Sequence, residues 1–127
     1  MDKVKIKSFR DLIAWQLGHN LVLEIYKITK LFPRDEQFGL VSQMRRCAVS
    51  ITSNIAEGFS RQTYKDKIQF YSIALGSVTE LQNQLDIVRD IKFINLETYR
   101  KLELSSEEIH KIINGLIKSS MSRFPKP

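Results

Sequence analysis

The sequence is poor in residues that cross-link or interrupt a chain. It has one cysteine, so no internal disulfide can form, and a reducing compartment is the simplest setting. Its three prolines and five glycines leave few breaks of the kind that many short strands require. The two histidines, His19 and His110, are far apart, and neither His-x-x-x-His nor Cys-x-x-Cys is present. No glycine cluster is available to cradle phosphate, and no Gly-x-Ser-x-Gly presents a nucleophile. No run approaches the ~20 apolar residues of a membrane span. The N-terminus alternates Lys3, Lys5 and Lys7 with Val4 and Ile6 and lacks the apolar core of a secretory leader. These absences predict a cytoplasmic protein that is not an enzyme, with no cofactor, no metal and no membrane partner.

What is present is helical periodicity. With 127 residues, 43% of them hydrophobic, the chain suits one domain with a substantial core. Between Gly39 and Glu57, apolar residues recur at Leu40, Met44, Cys47, Ala48, Ile51 and Ile55, while Gln43, Arg46, Ser50, Ser53 and Glu57 share the other face. Small residues fill the middle, which lets a neighbouring helix approach closely, and Gly58 suits a left-handed cap at the end.

The same pattern predicts three more helices. One runs over 10–31, capped by Ser8 with Asp11 in its first turn and stopped by Phe32 and Pro33. Another runs over 64–90, capped by Ser60 or Thr63, with Gly76 and Ser77 read as a close helix contact. The last is read as 96–120 with Asn95 as its cap. Ser105 and Glu108 spell a capping box that would start a separate helix there. Leu102, Ile109 and Leu116, however, stay in phase across it, which favours one continuous helix. Residues 1–8 read as an extended basic arm and 121–127 as a frayed tail. The expected fold is all-α, an antiparallel up-down-up-down four-helix bundle spanning 1–127 as a single domain.

The central stretch also resembles a known family. Gly39, Leu40, Gln43, Arg45 and Arg46, followed by Ser50, Ile51, Asn54, Ile55, Ala56, Glu57 and Gly58, resemble the signature of the 23S rRNA intervening-sequence proteins, a four-helix bundle family. Phe9, Leu12, Trp15, Phe32, Pro33, Glu36, Phe70, Ala74 and Leu81 extend the likeness over most of 9–120. Cys47 departs from it, since the family usually has alanine there. The resemblance implies pentameric rings and members encoded within ribosomal RNA insertions. It also implies relatives that accompany reverse transcriptases in diversity-generating elements and bind nucleic acid.

Net charge is +6, which favours polyanions without naming one. The basic candidates for RNA or DNA are Lys3, Lys5, Lys7, Arg10, Arg45, Arg46, Arg61, Lys65 and Lys67. No recognition-helix pattern, zinc finger or aromatic RNA-binding sheet is present, so binding would address the backbone. Arg45 and Arg46 could hold phosphate, cross a subunit boundary or stand in solvent. Trp15, Val22, Tyr26, Phe59 and Tyr64 exceed what one bundle core needs and are candidates for a self-association surface. The competing expectation is a protein-interaction scaffold, or an accessory subunit of another protein, whose charge is incidental. Cys47 and Asn54 read as structural, Cys47 as inert packing and Asn54 as a local hydrogen-bonding residue.

Overall fold

The computed structural model describes residues 5–123, and the predicted arm residues 1–4 and tail residues 124–127 lie outside them. Four long helices account for most of the described chain: α1 Ile13–Thr29, α2 Ser42–Ser60, α3 Tyr64–Asp90 and α4 Leu96–Ser122. No strand occurs among the described residues. Each helix packs on the next, and α1 also packs on α4, which closes the ring around one core. Side-chain pairs give the direction. Arg45 meets Thr29 while Thr52 lies against Gly18, Cys47 meets Glu80 while Gly58 lies against Tyr71, and Asp86 meets Tyr99 while Gln82 meets Ser106. In every case numbers rise on one helix as they fall on the other, so consecutive helices are antiparallel.

The core is the set of apolar positions that the periodicity marks. Leu21, Ile25, Met44, Ile51, Ile55, Leu81, Leu85, Leu102, Ile109 and Ile113 are fully buried. Removing any one of these large side chains would cost about 2–5 kcal/mol. The helix-four expectation holds at Ser105 and Ser106, where α4 runs unbroken. Ser106 is buried, accepts from Gln82 Nε2 at 3.1 Å and donates to the Glu103 carbonyl at 2.7 Å. Its hydroxyl is therefore satisfied without ending the helix. Asn95 caps α4 by accepting from the Thr98 N–H, and Thr63, not Ser60, caps α3 by accepting from Asp66.

Five helix boundaries differ from the sequence reading: both ends of α1, both ends of α2, which runs to Ser60 rather than Glu57, and the end of α4, which takes Met121 and Ser122 from the expected frayed tail. Ser8 and Asp11 do form a reciprocal cap, but around a 3-10 turn at Phe9–Asp11. Leu12 is then extended, so α1 starts at Ile13 rather than Arg10. Its regular part also ends two residues early, at Thr29, whose hydroxyl donates to the Ile25 carbonyl at 2.6 Å. The second helix does not begin at Gly39. Gly39 is non-helical (φ −109°, ψ −112°) inside a wide turn over Gln37–Val41, and the Glu36 carboxylate accepts from the Leu40 N–H across it.

Gly58 is not a left-handed cap either. It lies buried inside α2, where a Cβ would stand 2.6 Å from Cε1 of the buried Tyr71 ring. Gly76, read as a close contact, has open space around it; buried Ser77 makes the contact instead, bonding Ser50 at 2.9 Å. Gly18 is a contact the periodicity does not mark, with a Cβ placed 3.0 Å from Thr52 Cγ2.

These two glycines give opposite expectations for one substitution. Gly58→Ala forces the Tyr71 ring or the helix to shift and should cost about 1–3 kcal/mol. Gly76→Ala should stabilise by up to about 1 kcal/mol, because it removes backbone freedom without a clash. Urea unfolding of the two variants measures both.

Candidate nucleic-acid interface

The antiparallel register sorts the basic residues into two groups. Gly18 lies opposite Thr52 and Ile55, so the start of α1 lies beside the last turns of α2, and the 3-10 turn packs on α2 as well. Lys5, Lys7 and Arg10 thereby share one end of the bundle with Arg61, Lys65 and Lys67 of the α2–α3 connection. Arg45 and Arg46 belong to the first turn of α2. At 1.5 Å per residue they are about 22 Å along the axis from Arg61. Lys3 lies outside the described residues.

Two of the cations at this end, Lys67 and Arg61, have structural work, and the others define the interface. Lys67 Nζ donates to the Phe59 carbonyl at 2.6 Å and the Gly58 carbonyl at 3.3 Å. It thus satisfies the Phe59 carbonyl and offsets the negative pole at the end of α2. Burial lowers its pKa from the usual lysine value. Arg61 pairs with Glu57 at 3.0 Å, as the four-residue spacing predicts, and lies over the Phe70 ring at 4.5 Å. The backbone N–H groups of Lys7 and Ser8 donate to the Asp11 carboxylate, which holds its pKa below the usual aspartate value. That leaves the exposed side chains of Lys5, Lys7, Arg10 and Lys65 without an ion pair among the described residues.

Arg45 and Arg46, alike in sequence, differ in structure. Arg45 donates to Thr29 Oγ1 at 2.9 Å and to the Tyr26 carbonyl at 3.4 Å, with its guanidinium 4.5 Å above the Tyr26 ring. It clamps the end of α1 to the start of α2. Arg46 is exposed on a groove of about 560 Å³ that Arg45 also lines, beside Phe38, Ser42 and Ser50.

Toward the other end of α3 and α4, one groove is acidic. Asp86, Glu103 and Glu107 line a groove between α3 and α4 together with Tyr99. Tyr99 donates to Asp86 at 2.6 Å, and that carboxylate raises the phenol's pKa. Arg89 stacks over Tyr99 at 4.5 Å and pairs with Asp90 at 2.8 Å. The groove is thus locally acidic, with Arg89 at its edge.

The remaining candidates carry no reactive arrangement. Cys47 is buried and donates to the Ser77 carbonyl at 3.0 Å; burial foremost, and the Glu80 carboxylate, push its thiol up to about 12. Asn54 donates to the Ser50 carbonyl at 2.8 Å and to its hydroxyl at 3.1 Å, within its own helix. Glu107 and His110 do have Glu-x-x-His spacing, but no group of three metal-ligating side chains forms among the described residues. No helix among the described residues is long and apolar enough to cross a membrane.

The five candidate association residues are mostly half-buried. Trp15 and Val22 pack half-buried on the core, Tyr26 lies beneath Arg45, and Phe59 and Tyr64 are half-buried near the α2–α3 connection. The most exposed large apolar side chains are others, Phe38 at 96% and Leu31 at 86%. Both lie near the α1–α2 connection, where the hydrophobic stripe ends and periodicity gives no orientation.

A family model described as 23S rRNA-intervening sequence protein matches residues 10–115. The chain belongs to this family. A crystal structure described as a protein with unknown function from the S23 ribosomal protein family, from Bacteroides thetaiotaomicron VPI-5482, is similar in fold, with a TM-score of 0.79. It is 25% identical and covers 86% of this chain and 98% of its own. No curated protein matches the chain. Neither description indicates an enzyme.

The unequal arginines of this 23S rRNA-intervening sequence protein make a stability test. Arg45→Ala leaves the buried Thr29 hydroxyl without its donor and should cost about 1–3 kcal/mol. Arg46→Ala should stay within about 0.5 kcal/mol of the parent. Thermal and urea unfolding of the pair measure the difference.

Proposed function

We propose that the chain is a non-enzymatic, self-associating cytoplasmic protein that binds the backbone of nucleic acid through its basic end. The observation that carries this reading is the gathering of Lys5, Lys7, Arg10 and Lys65 where the N-terminal segment meets the α2–α3 connection, exposed and without an ion pair among the described residues. Of the cations at this end, Arg61 pairs with Glu57 and Lys67 closes α2, which leaves these four for a ligand. The family's description, which names a 23S rRNA intervening sequence, favours RNA as the polyanion. The acidic α3–α4 groove would repel a phosphate chain, so a strand would avoid that part of the surface.

Self-association is supported by Phe38 and Leu31, whose exposure is expensive unless another surface covers them. In an assembly the basic ends of several copies add their fields, and a pentameric ring would present five of them. The same exposed side chains favour a second reading, a scaffold that docks another protein, such as a reverse transcriptase, and carries its charge incidentally.

Salt dependence separates the two. About four phosphate contacts per copy give a slope near −3 in log affinity against log salt for a single strand. RNA affinity should then fall roughly fiftyfold between 50 and 200 mM salt. The combined variant Lys7→Gln, Arg10→Gln, Lys65→Gln should flatten that slope, while Arg46→Gln changes it little. Absence of binding at 50 mM salt would leave the scaffold as the better account.

A further inference from the structure

The basic end carries a run of rings as well as charges. Phe9, in the 3-10 turn, meets the Trp15 ring edge-on, with centroids 5.3 Å apart and planes at 65°. His19, one turn further along α1, lies nearly parallel to the same indole, at 4.8 Å and 13°. The Arg10 guanidinium covers Phe9 at 4.4 Å. Arg10, Phe9, Trp15 and His19 therefore form a continuous ladder, each member in contact with the next, on the surface where Lys5 and Lys7 also emerge.

The two halves of the ladder do different things. Phe9 and Trp15 are half-buried and hold the 3-10 turn against the bundle. His19 is exposed, and no second ring stacks on it among the described residues. An open, flat ring already braced in parallel on an indole is the geometry that accepts the face of a base. Cations beside it supply the phosphate attraction that brings a strand there. A duplex offers no free base face except at its ends, whereas a single strand or loop offers one at every nucleotide.

We infer that the His19–Trp15 stack is a platform for one unpaired base, with Arg10 and Lys7 on the adjoining phosphates, so that the ligand is single-stranded nucleic acid. The inference rests on the nucleic-acid reading above and specifies its ligand. Neighbouring cations give affinity for any polyanion, and the stack adds a preference that charge alone does not. Trp15 is the only tryptophan in the chain and lies directly beneath the platform, so its emission reports occupancy.

The experiment titrates the full chain at low salt with a short oligouridylate, and separately with the same strand annealed to its complement. The single strand should change Trp15 emission and the duplex should not. His19→Ala should weaken the single strand about tenfold while leaving duplex affinity and the melting temperature unchanged. His19→Phe, which restores a ring without the imidazole, should recover most of the loss. If both nucleic acids bind with no emission change, or His19→Ala weakens both alike, the platform is wrong and backbone binding stands. If neither binds at low salt, the platform and the nucleic-acid reading fall together.

Discussion

The bundle depends on how closely α2 and α3 can lie. Gly58 has no room for a Cβ against Tyr71, and further along the same seam Ser50 and Ser77 bond at 2.9 Å while Cys47 donates to the Ser77 carbonyl. Small residues thus bring two helix surfaces together along most of the length of α2, with their polar atoms satisfied. Ala48, Ala74 and Val78 bury completely in the same core. A larger residue at Gly58 would push the α2–α3 connection outward, and with it Arg61, Lys65 and Lys67. The position of the basic end is therefore a consequence of core packing.

Much of this was legible in the sequence, for reasons that differ by residue. The phase of Leu102, Ile109 and Leu116 carried α4 across Ser105 and Ser106, because burial of a continuous stripe outweighs a local capping signal. The i,i+4 spacing of Glu57 and Arg61 likewise read directly as a pair. Where tertiary contacts decide, the sequence was silent. Glycine at 58 and 76 looks alike in a helical pattern, yet one faces an aromatic ring and the other faces space. Arg45 and Arg46 are neighbours in sequence, but Thr29 and the Tyr26 ring take only the first. Ser8 and Asp11 announce a cap without saying that Leu12 will be extended after it.

The candidate interface followed the same division. The family and the basic residue types could be read from the chain, but the grouping of these cations at one end could not. It comes from the antiparallel register of α1 and α2, which sets the N-terminal cations beside the α2–α3 connection. The stacking of His19 on Trp15 has a sequence signal, the i,i+4 spacing of two aromatic rings on one helix face. That spacing makes the two rings neighbours but does not say that His19 stays exposed. Lys67 shows the converse, since a lysine counted with the binding cations turns out to close a helix end.

The central claim is that packing fixes a basic end where nucleic acid binds, and that the rest of the surface takes no part. Amide chemical-shift mapping of the labelled chain with a single-stranded RNA tests this residue by residue. Shifts should concentrate at 5–10, around His19 and over 61–67, and leave Asp86, Glu103 and Glu107 unmoved. Shifts centred on the α3–α4 groove, or on Phe38 and Arg46 with the 5–10 segment silent, would contradict it.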